Sequence, residues 1–396
     1  VDPEIHRIAK SIKPREVVQM AERIGLIMTG AVSLGSFHAG ALTEILYALD
    51  HFRREKNRPI ELDVITGASA GAMTAGLVAH IVMNNYAERR QNLYRAWVEL
   101  VTIDRLLVNP PTNAFLSRRP VEEIGNLCIQ PPFDVAGRAS FAPQVLRMVL
   151  TVSNLCGVDR KIEPISGRPF VSTFFNDRIE FHLANESSDG VQSVRDAQTW
   201  NRVREFAIAS GAFPLAFPPS RLARSAVEYD PTGLVAGALD LNPFYVDGGT
   251  FNNQPIGEAV RLARQSRTAS FGDSRKFLFV NTNENNSIHQ SSPNLADDVE
   301  RIEQLGKRLA EIVYQQARTS DWLNALLINY QILVRDQFLS SIITMIKTFT
   351  IDDTPGLIAQ LGALAEEIRA GQGAMLSARS NDPDLGAALA RVDVKY

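Results

Sequence analysis

With 396 residues, 45% of them hydrophobic and 21% charged, the chain has an ordinary globular composition and can bury a sizeable core. Its net charge of −3 is too small to point to a polyanionic partner. The basic clusters (Arg53-Arg54-Glu55-Lys56, Arg89-Arg90 and Arg118-Arg119) are short and read as solvated helix ends or loops, so no nucleic acid is expected.

The two cysteines, Cys128 and Cys156, exclude a disulfide framework and give no metal-binding spacing. Both read as buried small hydrophobes in a reducing compartment. The amino end is polar and charged, without the pattern of a leader. No apolar run is long enough to span a bilayer. The expected location is cytoplasmic, with any membrane contact peripheral.

In chain order, residues 16–23 read as a short helix or lead-in. Residues 24–28 (Ile-Gly-Leu-Ile-Met) are apolar without alternation, which predicts a fully buried strand of a parallel sheet. A small-residue loop from Thr29 to Gly35 follows, then an amphipathic helix over 41–52. Residues 62–65 predict a second strand. Strand, loop, helix and strand at this spacing predict a right-handed βαβ unit. That unit sets the two post-strand loops side by side, at the edge where open α/β sheets hold their sites.

Residues 70–84 predict a helix, and so do residues 89–107. Residues 109–143 are rich in Pro, Gly and Asn and resist assignment. Residues 144–155 are apolar and read as helical. Residues 170–176 and 178–184 read as a β-hairpin around Asn176-Asp177. A helix over 200–209 leads into Ala209-Ser210-Gly211-Ala212-Phe213-Pro214-Leu215-Ala216-Phe217-Pro218-Pro219. Residues 244–246 form a short strand ending at Asp247-Gly248-Gly249, residues 258–265 a helix, and residues 276–281 a buried strand. From about residue 293 the pattern is helical only, over 295–316, 322–349, 357–369 and 385–391. The expected division is an α/β domain over 1–292 and a helical extension over 293–396.

The candidate chemistry starts at Gly67-Ala68-Ser69-Ala70-Gly71, a G-x-S-x-G match between a predicted strand and a predicted helix. That context suits a serine nucleophile held out on a strained turn. Alone the match is weak, since roughly one chain in eight of this length would carry it by chance. A serine nucleophile needs a proton acceptor and donors for an oxyanion. His80, His182 and His289 follow it in sequence, and His289 is the best placed of them for a triad, though no motif surrounds it. Asp247 stands at a strand end with glycines behind it. Asp-Gly-Gly taken alone is more often a capped turn than a base. The loop from Gly30 to Gly35 joins a buried strand to a helix amino end, which suits an anion. It lacks the Lys-Ser/Thr pair of a nucleotide-binding P-loop.

Taken together and in this order, four blocks resemble the patatin-like phospholipase family. They are the Gly30–Gly35 loop with Ser36-Phe37-His38-Ala39-Gly40 after it, Gly67 to Gly71, Ala209 to Pro219, and Asp247-Gly248-Gly249 continued by Asn253 and Pro255. The resemblance implies an α/β fold of three layers, with a mostly parallel central sheet flanked by helices. It implies a lipid or phospholipid acyl ester as substrate and a Ser-Asp dyad needing no cofactor and no metal. Ser69 would be the nucleophile and Asp247 the base. Backbone amides at Gly30, Ala31 and Val32, with that of Ala70, would hold the oxyanion, and Gly35, Gly67, Gly71, Gly248 and Gly249 would support the turns. The family loop usually reads three glycines, any residue, then Arg or Lys. Here Ala31, Val32 and Leu34 occupy the second, third and basic positions.

Three functions compete. The first is a lipid acyl hydrolase, such as a phospholipase A, and the second a lipid- or protein-binding module on a decayed hydrolase scaffold. The third is a conventional Ser-His-Asp esterase using His289. The apolar stretch 322–349, interrupted by Arg335, Asp336 and Lys347, reads as a helix packed on the α/β body or a dimer contact, or else as an interfacial helix or lid.

Overall fold

The computed structural model describes residues 22–31, 35–131, 133, 135–162, 168–229, 235–237, 239–265, 275–281 and 313. The chain divides into two compact units, Val1–Trp322 and Leu323–Tyr396, and every described residue belongs to the first. The helices expected beyond residue 293, apart from helical Val313, lie outside the described residues. So do the expected boundary at 292/293 and the lead-in up to residue 21.

Eight strands among the described residues make one sheet. They are β1 (Glu22–Met28), β2 (Ile60–Gly67), β3 (Val145–Ile162), β4 (Phe170–Ala184), β5 (Gln192–Ser193), β6 (Ser220–Arg221), β7 (Phe244–Asp247) and β8 (Arg275–Val280). The spatial order is β5-β4-β3-β2-β1-β8, and β7 pairs with β3 and β6. Pairing is parallel from β8 through β1 and β2 to β3. It is antiparallel between β3 and both β4 and β7.

The apolar strands take their places because both faces of the sheet are covered. Helices α1 (Gly35–Arg54) and α2 (Ala70–Met83) share a core with alternate strand residues such as Ile24, Leu26 and Met28. The intervening Ile27, with Val64 and Val149, packs instead with Ala259 and Leu262. The register of β1 on β2 slips at Ile24/Gly25, where Leu62 and Val64 face consecutive partners. That bulge is why Leu62 and Ile65, three positions apart, lie in the same core. The result is a three-layer α/β arrangement, with β1, α1 and β2 as the expected βαβ unit.

Several elements differ from their sequence signals. Residues 144–155 are strand, not helix, because they open β3. From Met148 to Asn154 every residue is buried, since both faces of β3 are covered there, and the short apolar run Met148-Val149-Leu150 has no period to separate strand from helix. Residues 170–184 are one strand rather than a hairpin. Asn176 and Asp177 sit in the middle of the ladder opposite Ser153 and Val152, and the true hairpin is β3 with β4. Asp177 is tolerated mid-strand because Arg224 pairs with it at 3.3 Å.

The helix expected over 89–107 is broken into α3 (Arg89–Tyr94), a π-helical turn Arg95–Glu99 and α4 (Ile103–Leu106). The π turn carries Trp97, whose ring presses so closely on Gly35 that a Cβ there would lie 2.1 Å from it. Within the stretch 109–143, α5 (Arg119–Cys128) buries Pro120, Val121, Ile124 and Cys128. Cys128 is buried as expected, but Cys156 is exposed, because it follows the point where β3 leaves the covered part of the sheet. The long helix α6 (Ala197–Ser210) buries Trp200, Val203 and Phe206, and α7 (Ala226–Tyr229) and α8 (Ile256–Gln265) complete the described set.

Candidate active site

The first contribution comes from the end of β2. Ser69 directly precedes α2 and holds φ 53° and ψ −126°, a conformation unusual for any residue but glycine. This turn is possible because the first turn of α2 nearly touches the end of β1. A Cβ on Gly71 would lie 2.4 Å from the Thr29 carbonyl oxygen and 2.5 Å from that of Met28. The Ala68 amide also donates to the Met28 carbonyl at 3.2 Å, tying the serine turn to the loop that follows β1.

The second contribution comes from β7. β2 follows β3 only as far as Leu150, which pairs with Gly67. β3 continues, and β7 takes up the vacated edge with Val152 opposite Asp247. The carboxylate is thereby carried to the end of β2. Ser69 Oγ donates to Asp247 Oδ2 at 2.6 Å. The other carboxylate oxygen accepts from the Gly249 amide at 2.7 Å, and the Asp247 carbonyl accepts from Ser153 Oγ at 2.7 Å. Asp247 is wholly buried, whereas Ser69 keeps 6% exposure, so of the two residues Ser69 is the one open to solvent.

The third contribution is the loop after β1. Gly30 and Ala31 are buried beside the serine turn. A Cβ on Gly30 would lie 2.0 Å from Asn253 Oδ1 and 3.1 Å from the Ser69 Cβ, so nothing larger fits between them. The Gly30 amide donates to the Asn253 carbonyl at 3.1 Å and is therefore engaged within the protein. The Ala31 amide makes no hydrogen bond among the described residues. The Ala70 amide opens α2, where helix geometry supplies no acceptor. Val32 and Leu34 lie outside the described residues, while Gly35 opens α1.

Of the sequence-predicted histidine candidates, His80 and His182 both lie far from the dyad. His80 is eleven residues along α2 from Ser69, about 16 Å at helical rise. It is buried edge-on against Trp200 and Phe133. Burial, with the charge of Arg204 nearby, lowers its pKa to about 4. His182 is engaged with Glu180 at 2.7 Å and pairs with Arg147, about 17 Å down β3 from the Asp247 position. His289 lies outside the described residues. Among the described residues no group of three or more His, Cys, Asp or Glu is placed to hold a metal ion. None of their helices is long and apolar enough to cross a membrane.

One contact was not visible in the sequence. The Ser69 amide donates to Ser210 Oγ at 2.9 Å, across 141 residues of chain. Ser210 belongs to the Ala209–Pro219 block, and its presence in that block was the only available signal.

Protein y4iI of Sinorhizobium fredii is 26% identical over 319 residues, a match covering 60% of this chain and 45% of that protein. The chain thus spans less than half the length of this curated relative. Among solved structures, VipD from Legionella pneumophila aligns with a TM-score of 0.32 and 12% identity, over 65% of this chain and 49% of that one. The profile of the patatin-like phospholipases matches residues 26–260, more than half of the chain, running from β1 into α8 and taking in all four sequence blocks. The chain belongs to the patatin-like phospholipase family.

Proposed function

We propose that this protein is a serine acyl-ester hydrolase of lipids, of the phospholipase A or lipid acyl hydrolase type, working through a Ser69–Asp247 dyad. The observation that carries the reading is the 2.6 Å hydrogen bond from Ser69 Oγ to a buried carboxylate, within reach for proton transfer. In the first half-reaction Ser69 Oγ attacks the ester carbonyl carbon while its proton passes to Asp247. The carbonyl oxygen becomes an oxyanion, held by the Ala31 and Ala70 amides. Collapse expels the lipid alcohol, which takes the proton from Asp247, and leaves an acyl-serine. Water then attacks the acyl-serine, giving its proton to Asp247. The fatty acid departs and the proton returns to Ser69.

Gly249 keeps the carboxylate oriented, and each oxyanion donor is worth about two to three orders of magnitude in rate. Release of free fatty acid from phospholipid vesicles, or of nitrophenol from acyl esters, tests the reading. Ser69→Ala and Asp247→Asn are each expected to lower turnover at least a thousandfold. Full activity in either variant would sink the dyad.

A binding module without turnover is the second reading, and one observation favours it. The Gly30 amide is committed to Asn253, which leaves the anion site one donor poorer than the sequence suggests. A fluorophosphonate probe, from which Ser69 Oγ displaces fluoride as its proton passes to Asp247, separates the two. Covalent labelling at Ser69 excludes the inert module.

A further inference from the structure

Two hydrogen bonds reach the dyad from a single helix end. Ser210, the last residue of α6, accepts the Ser69 amide on its Oγ at 2.9 Å. Two residues later the Ala212 carbonyl accepts the Asp247 amide at 2.9 Å. One short segment therefore holds the main chain of both dyad members. That segment is itself fixed. The Gly211 amide folds back onto the Ala207 and Ile208 carbonyls, and the Ala212 amide onto that of Ala209. A Cβ on Gly211 would lie 2.4 Å from Met73 Sδ, so the segment also packs closely on α2, the helix that Ser69 precedes. Upstream, Trp200 and Phe206 anchor α6 in the core with no exposure.

We propose that Ser210 to Ala212 is a clamp that sets the separation of Ser69 and Asp247, and that Ser210 is a positioning residue for the nucleophile. This rests on the hydrolase reading above. Ser69 holds a strained backbone, and strain persists only where the surroundings over-determine it. The Ser210 hydroxyl supplies that constraint at the amide of the strained residue. Ser210 is wholly buried, and an aliphatic side chain in its place offers no acceptor. Without the hydroxyl the turn relaxes toward an ordinary conformation and Oγ leaves Asp247. A misplacement near 1 Å costs on the order of a hundredfold in rate.

The test is the rate of fluorophosphonate labelling at Ser69, taken with kcat and KM on a soluble acyl ester, per folded molecule. Ser210→Ala is expected to slow labelling and kcat about 10- to 100-fold with KM unchanged. Ser210→Thr and Ser210→Val are alike in shape and differ in the hydroxyl, so Thr is expected to label at least tenfold faster than Val even if both pack poorly. Ser140→Ala, which deletes a hydroxyl bond to Asp50, should keep the wild-type rate. Labelling of Ser210→Ala at the wild-type rate, or equal rates for Thr and Val, would overturn the clamp while leaving the hydrolase standing. A wild-type protein that takes no label would overturn both.

Discussion

Gly71→Ala asks whether the close approach of α2 to β1 is what forms the site. The added Cβ would meet the Thr29 and Met28 carbonyl oxygens at 2.4 and 2.5 Å. Comfortable non-bonded contact begins near 3.5 Å, so the helix and the strand end must separate by about 1 Å. Overpacking of this kind costs about 1–3 kcal/mol. Alanine in place of glycine inside a helix returns about 1 kcal/mol. The expected net loss is therefore about 0–2 kcal/mol, small enough for the variant to fold. Turnover suffers more, because Thr29, Gly30 and Ala31 continue directly from the displaced strand end. A shift of about 1 Å there is expected to cost about a hundredfold in kcat.

Gly40→Ala supplies the comparison, since it also lies within a helix but its Cβ would meet nothing within 4 Å. It should raise stability by about 1 kcal/mol and leave turnover alone. Urea denaturation gives the stabilities and ester hydrolysis the rates. A Gly71→Ala protein as stabilised as Gly40→Ala and fully active would refute the argument.

Other substitutions test the surroundings of the site. The Arg224 side chain is 2% exposed and pairs with Asp177, itself 7% exposed, while also donating to the Tyr245 hydroxyl at 3.0 Å. Arg224→Met takes the cation from a buried carboxylate that keeps only neutral donors, the Tyr245 hydroxyl at 3.1 Å and the Arg178 amide at 2.7 Å, and should cost about 3–5 kcal/mol in urea denaturation, with most of the loss recovered on adding Asp177→Asn. His80 should make stability depend on acid. Its folded pKa is about 4 against an ordinary 6.5, so the unfolded chain binds the extra proton between those values. Stability is then complete above about pH 6.5 and falls by up to about 3 kcal/mol as pH drops toward 4. Denaturation midpoints of His80→Phe should decline less steeply over that window; an identical slope would show that His80 contributes nothing.

Much of the architecture was legible because the sequence repeats the logic of a covered parallel sheet. The strands at 24–28 and 62–65, the helix after Ser69 and the Asp247 strand end all carry local signals, either an unbroken apolar run or glycines at a turn. What escaped was decided at long range. β3 reads as a helix until its partners are known, since only pairing distinguishes a buried strand from a buried helical segment. Asn176-Asp177 has turn chemistry, yet Arg224 from a distant segment keeps it inside a strand. The π turn at Arg95–Glu99 accompanies the packing of Trp97 on Gly35, which local propensity does not encode. At the site, residue types marked Ser69 and Asp247 as candidates, but neither the engagement of the Gly30 amide by Asn253 nor the Ser210 contact can be read from spacing.

The shared edge of β3 has a consequence for how this geometry can vary. Gly67 lies opposite Leu150 and Asp247 opposite Val152, two residues further along the same strand. Those two positions span about 7 Å, and side chains alternate faces at every step. Sliding β7 by one residue would turn the carboxylate to the opposite face of the sheet. Sliding it by two would restore the face but carry the carboxylate about 7 Å away. The separation of hydroxyl and carboxylate is thus quantised by the strand ladder, and no gradual drift of register leads from one working arrangement to another. Changes in the length of the segment between α6 and β7 can be absorbed as loop, while fine adjustment is left to side-chain rotation and to the turn at Ser69.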